Sequence, residues 1–169
     1  SKLTQINRDT VKNLRMVWAL ALGGMQDVGQ NGPESGVNPL IDNGFMYTSD
    51  GWGTIYNIDA RNGNMGQFVW VADTAVQHQG NAPRTRGIAI FEDKVFANLP
   101  DGRVVAINRD TGEILWDKKI ATKNEFGGQE KFLTAPIMAD GKLIIQNGAG
   151  DGGTRGWVAA HDSKSGNEL

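Results

Sequence analysis

The stretch "GIAIFEDKVFANLPDGRVVAINRDTG", residues 87–112, decides how this chain folds, because its pattern occurs three times. The other copies are "NPLIDNGFMYTSDGWGTIYNIDARNG", 38–63, and "APIMADGKLIIQNGAGDGGTRGWVAAHDSKSG", 135–166. Each reads as apolar run, turn, apolar run, loop, apolar run, and a polar turn closed by glycine. The runs last four to six residues and are rich in Val, Ile, Phe, Tyr and Trp, with "DNG", "PDG", "ADG" and "DTG" between them. That combination predicts short β-strands joined by tight turns. A tryptophan follows the closing glycine in the first two copies, Trp70 and Trp116; in the third the matching place falls one residue past Leu169.

From Gly63 to Gly112 to Gly166 the repeat lengths are 49 and 54 residues, enough for one four-stranded blade each. The expected fold is therefore all-β, a β-propeller. Residues 1–169 form part of a single propeller domain, with a lead-in over 1–35 and blade repeats over about 36–70, 85–120 and 133–169. A sustained helical period is absent except in "INRDTVKNL", where Asp9 or Thr10 is the candidate cap of a short helix.

Met46 to Asn57 and Val95 to Ala106 are both eleven residues apart, whereas Leu143 to Ala160 are seventeen apart. Six additional residues have entered the third blade between its second and third strands. They belong to the loop "NGAGDGGTRG", in which Gly148, Gly150 and Gly153 fall on the spacing G-x-G-x-x-G. A dinucleotide fingerprint needs a helix directly after it, and "RGWVAAHD" aligns instead with strands. The glycines are better suited to letting the backbone approach a ligand closely. Asp151 is the loop's only acid: it is either an oxygen ligand for a hard divalent cation or a turn aspartate making an Asx bond.

Charge is nearly balanced, 17 basic against 19 acidic residues with no block of either sign, which argues against nucleic acid or an anionic membrane as a partner. The most apolar run, "MVWALAL" at 16–22, is far short of the roughly 20 residues that cross a bilayer, so no membrane span is expected and the mature chain reads as soluble. No signal peptide is visible, and the absence of cysteine removes the usual sign of redox compartment. His78 and His161 lack partners at metal spacing; His161 aligns with Ile58 and Ile107 as a blade position. Trp18, Trp70 and Trp116 are expected to pack between blades, while Trp52 and Trp157 have no counterparts in the repeat.

"VVAINRDTGEILW" and "GTIYNIDARNG" resemble the tryptophan-docking repeats of quinoprotein alcohol dehydrogenases, and "LTQINRDTVKNLRMVWAL" resembles that family's lead-in. The resemblance implies an eight-bladed propeller that binds pyrroloquinoline quinone and a calcium or lanthanide ion, of which this chain is the N-terminal part, about three blades. It implies oxidation of an alcohol substrate, electron transfer to cytochrome c or another acceptor, companion polypeptide supplying the remaining blades, and a periplasmic or secreted location.

In "GAGDGGTRG" the resemblance puts Asp151 in the metal-ligand place, where aspartate replaces the family's more usual glutamate, and Gly148, Ala149 and Gly150 against the quinone. It further implies cofactor contacts for Arg86 in "TRGIAIF" and for Thr134, at equivalent places before the inner strands of successive blades. An arginine fork and a hydroxyl suit a tricarboxylate quinone; the alternative for Arg86 is pairing with a neighbouring blade's carboxylate. The family's threonine lies one place earlier, at Leu133, and its glutamate before the first inner strand would fall near Gly36, which leaves Glu34 as the closest acid. Gly80 and Asn81 stand where many members have adjacent cysteines. The family's catalytic base lies in later blades, so no catalytic residue is named in this chain. The rival reading is a non-enzymatic propeller, a binding or assembly scaffold built from the same repeat.

Overall fold

In a computed structural model, described for residues 4–23, 34–76, 84–123, 127–132, 134–148 and 153–169, the chain is built from antiparallel sheets. The first blade contains β2 (Leu40–Asp42), β3 (Phe45–Ser49), β4 (Ile55–Asp59) and β5 (Gln67–Ala72), in that order across the sheet. The second contains β7 (Ile88–Phe91), β8 (Lys94–Asn98), β9 (Arg103–Asn108) and β10 (Ile114–Lys119). The third shows β11 (Ile137–Ala139), β12 (Lys142–Asn147) and β13 (Trp157–Asp162), and a bridge from His161 to Glu168 begins the next pairing. A further pair, β1 (Glu34–Ser35) and β6 (Arg84–Thr85), runs parallel. These sheets are the four-stranded meander of a β-propeller.

The middle blade explains why its strands read as unbroken apolar runs rather than alternating ones. Successive side chains on a strand point to opposite faces, and here both faces are covered. Val95, Ala97, Val105 and Ile107 pack on Tyr47, Ile55, Trp70 and Ala72 of the first blade. Phe96, Val104 and Ala106 pack on Leu143 and Ile145 of the third.

Tryptophans fasten the blades together. Trp70 Nε1 donates to Arg109 O at 2.8 Å, and a methyl group at Gly112 would lie 2.9 Å from the Trp70 ring. Trp116 repeats the arrangement, with Nε1 donating to Ser163 O at 3.3 Å and its ring against Gly166. Arg109 adds an ion pair to Asp42 and a hydrogen bond to the Tyr47 hydroxyl, again from second blade to first.

Trp18 docks in the same manner, but on Gly66, where an added methyl group would come within 2.9 Å of the ring. Gly66 stands two residues before Phe68, which pairs with Ile58, just as Gly112 stands two before Ile114 and Gly166 two before Glu168. The docking glycine of the first blade is thus Gly66 and not Gly63, because the paired positions Ile58 and Phe68 are ten residues apart where Ile107 and Ile114 are seven. Over residues 17–22 Trp18, Leu20 and Leu22 are half-buried and Val17, Ala19 and Ala21 exposed, an alternation with the period of a strand.

The expected short helix is a single 3₁₀ turn, Val11–Asn13. Thr10 occupies its N-cap without capping it: the Thr10 hydroxyl donates to Gln5 O, and Asn7 Oδ1 receives the amides of Asp9 and Thr10. A local Asx network therefore outcompetes the helix.

Candidate functional site

The second and third strands of each blade set the geometry of the site. Met46 pairs with Ile58 and Val95 with Ile107, twelve residues apart in each case, while Leu143 pairs with His161 across eighteen. The six-residue insertion therefore sits where the repeat spacing puts it, and His161 occupies the ladder place of Ile58 and Ile107. The imidazole is buried and its Nδ1 lies 3.1 Å from Gly166 O, a packing role beside the Trp116 dock.

Both flanks of the insertion are fixed by side chains. Asn147 Oδ1 accepts the Lys131 amide at 3.0 Å, and Asn147 Nδ2 donates to Arg155 O at 2.8 Å and Thr154 Oγ1 at 3.3 Å. Trp157 Nε1 donates to Glu130 Oε1 at 2.7 Å, and its ring meets Phe132 edge-on. Trp157 thus has a structural assignment, anchoring the far end of the loop to segment 127–132. Burial opposes the charge on Glu130, but the Thr122 amide, the Trp157 indole and the Thr122 hydroxyl outweigh it and hold the carboxyl below its ordinary value. Gly148 is exposed and its amide donates to Lys131 O at 3.2 Å. Ala149, Gly150 and Asp151 lie outside the described residues, as do Gly80, Asn81, His78 and Leu133. Among the described residues no three His, Asp or Glu side chains gather at metal spacing.

The parallel pair β1 and β6 forms a second part of the site. Glu34 is the Cα partner of Arg84 and Ser35 of Thr85, and the Gly36 amide donates to Thr85 O at 3.0 Å. Two hydroxyls tie this ribbon to the end of β3: Ser35 Oγ donates to Ser49 O at 3.0 Å, and Thr85 Oγ1 to Asp50 O at 2.6 Å. Asp50 is itself buried, its carboxylate receiving the Trp52 and Thr54 amides and the Tyr56 hydroxyl. Burial, followed by the hydrogen bond to Asp50 and the Asp50 charge, pushes the Tyr56 hydroxyl far above the usual phenol range. Trp52 is accordingly part of a buried turn.

Ser35, Gly36, Arg84, Thr85 and Arg86 line a cleft of about 250 Å³. Arg86 is exposed, and its Nη1 would lie 3.3 Å from a methyl group at Gly36. Ion pairs to neighbouring blades are made by Arg109 and not, among the described residues, by Arg86. Gly87, at φ +144°, runs against Ala135: a methyl group at Gly87 would stand 2.7 Å from Ala135 Cβ. The segments holding Arg86 and Thr134 therefore pass side by side. Thr134 O accepts Asn98 Nδ2 at 3.0 Å, while Thr134 Oγ1 is enclosed without a partner among the described residues. An exposed guanidinium and an orphaned hydroxyl on touching segments fit an anionic, oxygen-rich cofactor.

Sequence reasoning missed Ser35, Asp50 and Thr85. The one signal in their favour is the hydroxyl of Thr85 between two arginines, Arg84 and Arg86.

The family model for the β-propeller domain of glucose, ethanol and alcohol dehydrogenases that use pyrroloquinoline quinone matches residues 1–169. The quinoprotein alcohol dehydrogenase PedH of Pseudomonas putida is 32% identical over 172 residues, covering 100% of this chain and 27% of the relative. The quinohemoprotein alcohol dehydrogenase of Comamonas testosteroni superposes with a TM-score of 0.78 at 29% identity, covering 99% of this chain and 24% of that one. A europium-containing methanol dehydrogenase superposes with a TM-score of 0.82 at 26% identity, over 100% of this chain and 28% of that one. The chain thus spans about a quarter of the length of these proteins. With its docked blades and a match along its whole length, the chain belongs to the pyrroloquinoline quinone-dependent glucose/ethanol/alcohol dehydrogenase β-propeller family.

Proposed function

We propose that the chain forms the first blades of an enzyme that oxidises an alcohol with pyrroloquinoline quinone and a bound metal ion, and that it supplies one wall of the cofactor site. The observation that carries this reading is the exposed Arg86 guanidinium in the cleft over Gly36, on a segment touching that of Thr134. Arg86 binds a carboxylate or carbonyl edge of the quinone through charge-assisted hydrogen bonds. Thr134 Oγ1, without a partner among the described residues, hydrogen-bonds a cofactor oxygen, and Glu34, the Cα partner of Arg84 in the short parallel pair, is a further cofactor contact. Gly148, Ala149 and Gly150 bring backbone close to the ring, and Asp151 is an oxygen ligand of the calcium or lanthanide ion.

When bound, the quinone accepts the two electrons lost by the alcohol, with the metal as a Lewis acid. This chain's residues bind and orient; the group that removes the hydroxyl proton belongs to later blades. Companion polypeptide supplies those blades. A cytochrome c acceptor is supported by the 1-butanol dehydrogenase (cytochrome c) of Thauera butanivorans, 31% identical over 170 residues and matched across 22% of its length. A periplasmic location follows the bacterial relatives; among the described residues no helix is long and apolar enough to cross a membrane.

The test is reconstitution of the whole protein, this chain with its remaining blades, by pyrroloquinoline quinone. Bound quinone gives a visible absorption band and alcohol-dependent reduction of an acceptor. A protein that stays colourless with added quinone and metal is a scaffold.

A further inference from the structure

The ribbon of β1 and β6 is two residues long on each side, too short to hold itself together. It is held by hydroxyls that reach two consecutive carbonyls, Ser49 O and Asp50 O, at the end of β3. The anchoring carbonyls are rigid, because the Asp50 carboxylate is engaged by the Trp52 and Thr54 amides and by the Tyr56 hydroxyl. Thr85 is 3% exposed, and Arg86, the residue that follows the strand, is exposed and lines the cleft. On that side Gly36 leaves room for the arginine stem, whose Cδ would lie 3.5 Å from a methyl group there.

We propose that Thr85 is a positioning residue for Arg86: its hydroxyl, clipped to Asp50 O, fixes the backbone from which the guanidinium reaches over Gly36 toward a cofactor carboxylate. The inference rests on the cofactor reading above and adds to it which group sets the height and direction of the arginine. A long, rotamer-rich side chain delivers a planar two-pronged contact only when its Cα is fixed, and the two-residue ladder does not supply that by itself.

The experiment is a pyrroloquinoline quinone titration of the complete apo-protein, read as Kd by fluorescence quenching. It compares wild type, Thr85→Val, Thr85→Ser, Arg86→Ala and the Thr85→Val/Arg86→Ala double variant. Valine keeps the branching of threonine and puts a methyl group, which cannot donate, in place of the hydroxyl. Thr85→Val is expected to raise Kd about tenfold, of the order that losing one buried hydrogen bond produces. Thr85→Ser is expected to stay within about threefold of wild type, the hydroxyl being retained. In the Arg86→Ala background Thr85→Val adds nothing, because its effect runs through the arginine.

A Thr85→Val effect of equal size in both backgrounds overturns the inference, since Thr85 then acts on the blade as a whole. An unchanged Kd in Thr85→Val, with Arg86→Ala still weakened, overturns the inference and leaves the cofactor reading standing. An unchanged Kd in Arg86→Ala overturns the arginine contact and the inference with it. If Thr85→Val does not fold, Thr85→Ala takes its place in the same comparison: a raised Kd that vanishes in the Arg86→Ala background supports the inference, and an unchanged Kd, or an equal rise in both backgrounds, overturns it.

Discussion

Leu143 faces His161 across a ladder whose counterparts close six residues sooner, so one blade alone carries added loop at the same end as its neighbours' short turns. The insertion enters without disturbing the strands: β12 and β13 pair over six consecutive positions, from Lys142–Asp162 to Asn147–Trp157. Asp151→Ala is therefore expected to leave the fold intact, with an unchanged unfolding midpoint, while metal content by elemental analysis and alcohol oxidation fall together. A wild-type metal content in that variant makes Asp151 a turn residue.

Arg86→Lys retains the charge but loses the planar fork. The expected outcome is faster release of quinone on dialysis, with folding unaffected because Arg86 is exposed. Absorption per mole of protein before and after dialysis measures it.

The docking glycines make a third test. Gly112 has φ +78°, and a side chain there meets the Trp70 ring at 2.9 Å. Gly112→Ala is expected to cost at least about 1–2 kcal/mol for the left-handed backbone alone. Trp70→Ala, which empties the dock, is expected to cost about 3–5 kcal/mol. Urea unfolding midpoints order the two variants.

Acid should loosen the far flank of the insertion. The carboxyl of Glu130 is held below its ordinary value near 4.5, so its contribution to stability is fully present above that value and is lost as pH falls through the lower folded-state value. Glu130→Gln is expected to flatten the decline of melting temperature between about pH 5 and 3 relative to wild type. Parallel slopes for the two proteins count against the Glu130–Trp157 link.

The fold was legible because its signal repeats. "VFANLPDGRVVAIN" and "MYTSDGWGTIYNI" show the same spacing, and strand pairing at twelve residues follows from it. The insertion was legible for the same reason, as a departure from a known period. Gly66 was not, since "ARNGNMG" offers two glycines and only the ladder from Ile58 to Phe68 shows which one meets Trp18. The ribbon of β1 and β6 was invisible because its partners, Ser35 and Thr85, lie fifty residues apart and each strand is too short to have a period. The hydroxyl clips of Ser35 and Thr85 to main-chain carbonyls leave no mark in composition. The contact of Gly87 with Ala135 is equally non-local.

Trp18 of the lead-in on Gly66, Trp70 of the first blade on Gly112 and Trp116 of the second on Gly166 repeat one clasp: indole offered forward, glycine presented behind. Such a head-to-tail contact closes on itself only as a ring. The series is therefore modular in the sense of beads on a clasp. A repeat gained or lost by duplication or deletion keeps the indole-on-glycine part of its interfaces, while pair-specific contacts such as those of Arg109 with Asp42 and Tyr47 have to be made anew.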